Sequence, residues 1–108
     1  MIRSRAGLLC FAVMMVFGPM AFAPAALAAD AAQGQVLAKR WCATCHVVAS
    51  DQQNGSTQAP PFSAIADRPT FDAAKVALFL LDPHPKMPSM NLTRAEAADL
   101  AAYIAAQK

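Results

Sequence analysis

Cysteine is scarce in this chain: there are three in 108 residues, and one of them, Cys10, lies in an apolar N-terminal stretch. The remaining pair, Cys42 and Cys45, allows at most one disulfide. Tryptophan and tyrosine occur once each, as Trp41 and Tyr103, and no basic run follows the N-terminal region. The aromatic ladder on a basic stripe that marks nucleic-acid binding is therefore missing. The longest apolar run, Leu8 to Phe17, is interrupted by Gly18-Pro19 and falls short of the roughly 20 residues a membrane-spanning helix needs. No segment alternates apolar and polar residues with the period of a strand. What remains is an all-α pattern.

The N-terminus has its own logic. Basic Met1-Ile2-Arg3-Ser4-Arg5 precedes the apolar run, and small residues and prolines follow, ending at Ala26-Leu27-Ala28. This order predicts a secretory signal peptide over residues 1–28, cleaved after Ala28, with retention as an anchor the alternative. Leu9, before Cys10, is not the small residue a lipoprotein cleavage site requires, so Cys10 is expected to leave with the leader. Loss of Arg3 and Arg5 reduces nine Lys and Arg to seven, against seven Asp and Glu, so the mature chain is close to neutral. Residues 29–108 then form a single domain. Ordering about 80 residues costs on the order of 100 kcal/mol of conformational entropy, which a core of this size only just offsets. A large apolar cofactor would be an effective staple.

Within that domain the spacing of Gly34, Leu37, Ala38 and Trp41 predicts a helix from Asp30, its cap, to Cys42. Residues 47–61 read as loop, polar through Ser50 to Thr57 and closed by Pro60-Pro61. A second helix is expected from a cap at Thr70 to just before Asp82-Pro83. Its run Val76 to Leu81 is apolar nearly all round, so it needs covering on more than one side. Three prolines in Pro83-His84-Pro85-Lys86-Met87-Pro88 exclude helix there. Thr93-Arg94-Ala95-Glu96 is a capping box opening a last helix, whose buried stripe is Ala97, Leu100, Tyr103 and Ile104.

The chemistry is concentrated in Cys42-Ala43-Thr44-Cys45-His46, the C-x-x-C-H pattern of haem attachment. Two thiols three positions apart on a helical turn can each add to one vinyl group of a porphyrin. The next residue, His46, then lies under the ring as proximal iron ligand. Three other readings compete. A structural disulfide leaves the adjacent histidine unexplained. A thioredoxin-like redox pair requires a βαβ context, which the pattern lacks. A zinc site would have only Cys42, Cys45, His46 and His84 to draw on, without zinc-finger spacing.

On these residues the chain resembles the class I c-type cytochromes, the small single-haem family that includes periplasmic bacterial members. Gly34, eight residues before Cys42, resembles the family glycine at the crossing of the first and last helices, and Tyr103 in Asp99 to Ile104 resembles the tyrosine that meets it. Pro60-Pro61-Phe62 resembles the segment whose proline carbonyl accepts the proximal histidine's second N–H, which assigns that role to Pro60. The resemblance implies a cytochrome c fold of three to four short helices around one haem c, bound covalently through Cys42 and Cys45.

It also implies a sixth ligand from the loop before the last helix, where His84, Met87 and Met90 stand. Met87-Pro88 resembles the family's Met-Pro ligand motif and makes Met87 the expected ligand. Met90 reads as packing and His84 as an exposed loop residue. His46/Met87 ligation fills both axial positions, raises the reduction potential over bis-histidine ligation, and leaves no site for substrate on iron. The implied function is a monomeric periplasmic one-electron carrier, not an enzyme, in transient contact with a dehydrogenase, a membrane respiratory complex, an oxidase or a reductase. The alternatives are a haem subunit of a larger oxidoreductase, or a gas- or peroxide-binding cytochrome with a labile sixth ligand. Trp41, Phe62, Ile65, Phe71, Leu78, Phe79 and Leu81 are expected in the pocket wall and core. Lys39, Arg40 and Lys86 either rim a haem edge or are solvated surface charge.

Overall fold

The computed structural model describes residues 27–55, 59–83 and 85–108. The leader up to Ala26, and His84, lie outside the described residues. Four helices follow in order: α1 Ala31–Trp41, α2 Phe62–Ala66, α3 Ala73–Leu81 and α4 Arg94–Ala105. There is no strand among the described residues, and no helix among them is long and apolar enough to cross a membrane.

The first helix begins where its cap chemistry requires. Asp30 is extended, and its Oδ1 accepts from the amides of Ala32 at 2.9 Å and Gln33 at 3.2 Å. These are two of the four amides a helix start leaves without partners. The Asp30 N–H donates to Asp99 Oδ1 of α4 at 2.6 Å, which ties the two terminal helices at one end. Further along, the buried face of α1 is made of the small residues Gly34 and Ala38. A Cβ at Gly34 would lie 2.7 Å from Tyr103 Cβ and would overlap the Asp99 carbonyl. The crossing therefore depends on glycine for close approach, and it seats Tyr103 as the resemblance implies.

Helix α4 is the central element, packing on α1, α3 and α2. Its start carries the capping box: the Thr93 amide donates to Glu96 Oε2 at 2.8 Å, and the Glu96 amide donates to Thr93 Oγ1 at 3.2 Å. The backbone and side-chain hydrogen bonds from Thr93, with a smaller effect from the Arg40 charge, hold the Glu96 carboxyl below its ordinary range. Ala97, Leu100, Tyr103 and Ile104 are all buried, joined by Ala101.

Two expectations need correction. The cap of α3 is Asp72, not Thr70: the Asp72 carboxylate accepts from the Lys75 amide at 3.1 Å. Thr70 instead sits with Pro69 at the centre of a turn closed by the Phe71 amide on the Arg68 carbonyl at 2.9 Å, where proline presets the backbone. Leu78 does not join the pocket wall; it is 68% exposed. A helix of nine residues can turn one flank to α4 and another to a cavity, and Leu78 lies on the third. Of its neighbours, Leu80 is buried, while Val76, Ala77 and Leu81 pack against the core.

Candidate haem site

The end of α1 delivers the two thiols. Cys42 is its C-cap, with its amide bonded to the Ala38 carbonyl at 2.8 Å. The amides of Cys45 and His46 then return to the Cys42 carbonyl at 3.1 and 2.8 Å, forming one tight turn. The two cysteines are not bonded to each other; Cys42 is buried and Cys45 exposed. Burial pushes the Cys42 thiol up to about 11.

His46 is buried, and its Nδ1 lies 2.7 Å from the Pro60 carbonyl oxygen. A carbonyl can only accept, so Nδ1 carries the proton and Nε2 keeps its lone pair for a metal. The ring meets Phe62 at 5.5 Å between centroids, and Phe62 meets Tyr103 edge-on at 6.3 Å. The Tyr103 hydroxyl donates to the Val48 carbonyl at 2.8 Å, two residues beyond His46. The tyrosine that packs on Gly34 thus also holds the loop carrying the histidine.

Two cavities, of about 340 and 420 Å³, share Cys42, His46, Pro60 and Met87 among their walls. The first is backed by the core residues Leu80, Leu100 and Ile104, with Phe79 and Arg68 also lining it. The second is bounded by Trp41, Thr44, Cys45, Lys86 and Met90. Together they make one mainly apolar crevice that holds thiols, a histidine with a free Nε2, and a thioether. Such a donor set suits a haem, with soft sulfur and imidazole for iron and apolar walls for the ring. Among the described residues no three of His, Cys, Asp and Glu converge on a bare metal ion.

Of the expected wall residues, Phe62, Ile65 and Phe79 line the first cavity, whereas Trp41 stands at the rim of the second, 43% exposed. The Arg40 guanidinium lies 4.8 Å from the Trp41 ring centroid. Met87 lines both cavities and Met90 only the second. Phe71 borders a separate shallow hollow beside α3. Sequence reasoning missed Gln52, which lies in the polar loop over residues 47–61. Its Oε1 accepts from the Val48 amide at 2.9 Å, and its Nε2 donates to the carbonyls of His46 at 2.9 Å and Ala43 at 3.0 Å.

The sequence profile of the family described as cytochrome c oxidase, cbb3-type, subunit III matches residues 29–104. A cytochrome c-552 of Bradyrhizobium diazoefficiens is 54% identical over 92 residues, covering 85% of this chain and 88% of that protein. The chain belongs to this c-type cytochrome family. No solved structure matches it. As a c-type cytochrome it is a small all-helical electron carrier with covalently bound haem c, and Cys42, Cys45 and His46 have the spacing of the attachment motif.

Proposed function

We propose that the chain is exported, cleaved after Ala28, and works in the periplasm as a monomeric one-electron carrier whose cytochrome domain is residues 29–108. In this reading Cys42 and Cys45 hold the haem, and His46 and Met87 are the axial ligands. One observation carries it: His46, its Nδ1 paired with Pro60 at 2.7 Å, shares both cavities with Met87. Haem c supplies a reversible one-electron Fe(III)/Fe(II) couple when bound.

The chain's own residues set the conditions for that couple. Pro60 keeps the proton on Nδ1 and so fixes the ligating nitrogen of His46. A thioether from Met87 favours the reduced state relative to a second imidazole. Phe62, Leu80, Leu100 and Ile104 keep water from the inner crevice, which favours the less charged state. With both axial positions supplied by side chains, no substrate reaches the iron, and the chain is a carrier rather than an enzyme. Its near-neutral charge suits brief contacts with redox proteins through a small patch.

The match to a family described by an oxidase subunit favours one second reading, a haem-bearing subunit of a larger oxidoreductase. Gel filtration of a gently prepared periplasmic extract separates the two: the carrier elutes as a monomer, the subunit with a catalytic partner.

The ligand assignment is tested by absorption spectra of periplasmically expressed protein, oxidised and reduced. A weak red band of ferric iron–thioether ligation should be present, lost in Met87→Ala and kept in Met90→Ala. Loss in Met90→Ala instead would transfer the role to Met90. A mature N-terminus at Ala29 tests the export reading.

A further inference from the structure

We propose that Gln52 is a positioning residue that fixes the proximal ligand and helps set the reduction potential; this rests on the reading of His46 as that ligand. His46 is held at three points. Its amide donates to the Cys42 carbonyl at 2.8 Å, its ring to Pro60 at 2.7 Å, and its carbonyl accepts from Gln52 Nε2 at 2.9 Å. The first two bonds are set by the tight turn and the proline segment. The third comes from a side chain six residues further on, which closes the loop onto the attachment motif.

The same amide reaches both sides of the histidine. Nε2 donates to Ala43, between the two cysteines, at 3.0 Å, and also to the Asn54 carbonyl, while Oε1 accepts from Val48 at 2.9 Å. Three acceptors share two protons, so every polar atom of the amide is engaged. Val48, 1% exposed, is pinned from two directions, its N–H by Gln52 and its carbonyl by Tyr103 at 2.8 Å. The loop around His46 is therefore tied to α4 and to the attachment turn through neighbouring atoms.

Two physical effects follow. Holding the His46 backbone on one side and its ring on the other fixes the plane of the imidazole. The Nε2 hydrogens also place the positive end of a fixed dipole beside the proximal ligand, which disfavours the more positive ferric state. Removing the amide lets the loop relax, admits water and deletes that dipole. Water entry and loss of the dipole each lower the potential.

The experiment compares wild-type holoprotein with Gln52→Ala and Gln52→Met, the second preserving length and packing without the hydrogen bonds. Both variants should keep covalent haem and the red band, shift to lower potential, and show an altered spread of the hyperfine-shifted haem methyl resonances. The shift should be larger in Gln52→Ala, which also admits water. Unchanged potential and methyl pattern in both, even with a lower Tm, would reduce Gln52 to a structural residue and overturn the proposal. In the wild type, the Gln52 side-chain amide protons should exchange far more slowly than those of exposed Gln33. Equal rates would overturn the proposal even if neither variant matures. A wild type without covalent haem, or without the thioether band, would instead sink the ligand reading.

Discussion

The two sides of the crevice are built differently. On the His46 side, backbone, ring and neighbouring loop are bonded to Cys42, Pro60, Gln52 and Tyr103, and Phe62 packs beside the ring. On the Met87 side, the chain runs through Pro83, Pro85 and Pro88, and Met87 and Met90 are only partly buried. Proline stiffens this segment by limiting φ. Asn91, at φ 50°, turns it back toward the Thr93 cap, a conformation that asparagine tolerates better than most residues. A proximal base held at several named hydrogen bonds, facing a distal arm that carries three prolines, predicts unequal costs for damage on the two sides.

The largest effect is expected at the crossing of α1 and α4. Gly34→Ala sets a methyl group against the Asp99 carbonyl and Tyr103 Cβ. Backbone cannot move aside as a flexible side-chain tip can, so α1 must lift, taking Cys42 with it. The expected loss is about 3 kcal/mol of stability, with a fall in the yield of covalently attached haem. Guanidinium unfolding and a pyridine haem assay of the periplasmic fraction measure the two.

Next comes a change confined to the proximal side. Tyr103→Phe leaves the edge-on ring contact with Phe62 and removes the hydroxyl from the Val48 carbonyl. A buried carbonyl losing its partner costs about 1–3 kcal/mol. The red band should survive, because nothing on the Met87 side has been touched. If it vanishes, the two sides are not separable and the comparison fails.

The same contrast explains how much could be read from the sequence. C-x-x-C-H and the Thr93–Glu96 capping box were legible because each couples residue type to a fixed spacing, whereas the Gly34–Tyr103 pairing came only through the resemblance to the family. Gln52 was not, since a glutamine in a polar loop carries no periodicity and its partners are backbone atoms. Helix α2, five residues long, is too short to show a repeat. Thr70 and Asp72 are both good cap residues two positions apart, and only the turn at Pro69 decides between them. Leu78 was misplaced because an all-round apolar helix does not say which flank is left in solvent.

A smaller effect should follow from Met90→Leu, a near volume-conserving swap at a residue that lines the second of the two cavities and not the first. Stability should fall by less than about 1.5 kcal/mol, the usual bound for such exchanges. The red band should stay, since Met87 is the proposed ligand. A lost band would make Met90 the ligand and move the distal arm three residues along the chain.

The smallest expected effect lies where the distal arm ends, at the capping box. Thr93→Ala should cost about 1 kcal/mol, and it leaves the Glu96 amide without its acceptor. Glu96→Gln probes the same cap through pH. The Glu96 carboxyl is held below its ordinary value first by the backbone hydrogen bond from Thr93 and then by the side-chain one. A lowered folded-state pKa means the unfolded chain binds the proton more readily as acidity rises. The stabilisation is therefore fully present above the ordinary carboxylate value, where the unfolded chain is also ionised, and is lost as pH falls through the lowered folded value. Wild type should thus melt slightly above Glu96→Gln at neutral pH, and the gap should close on acidification. A gap that stays constant with pH would mean that the cap acts through hydrogen-bond geometry alone, without the carboxylate charge.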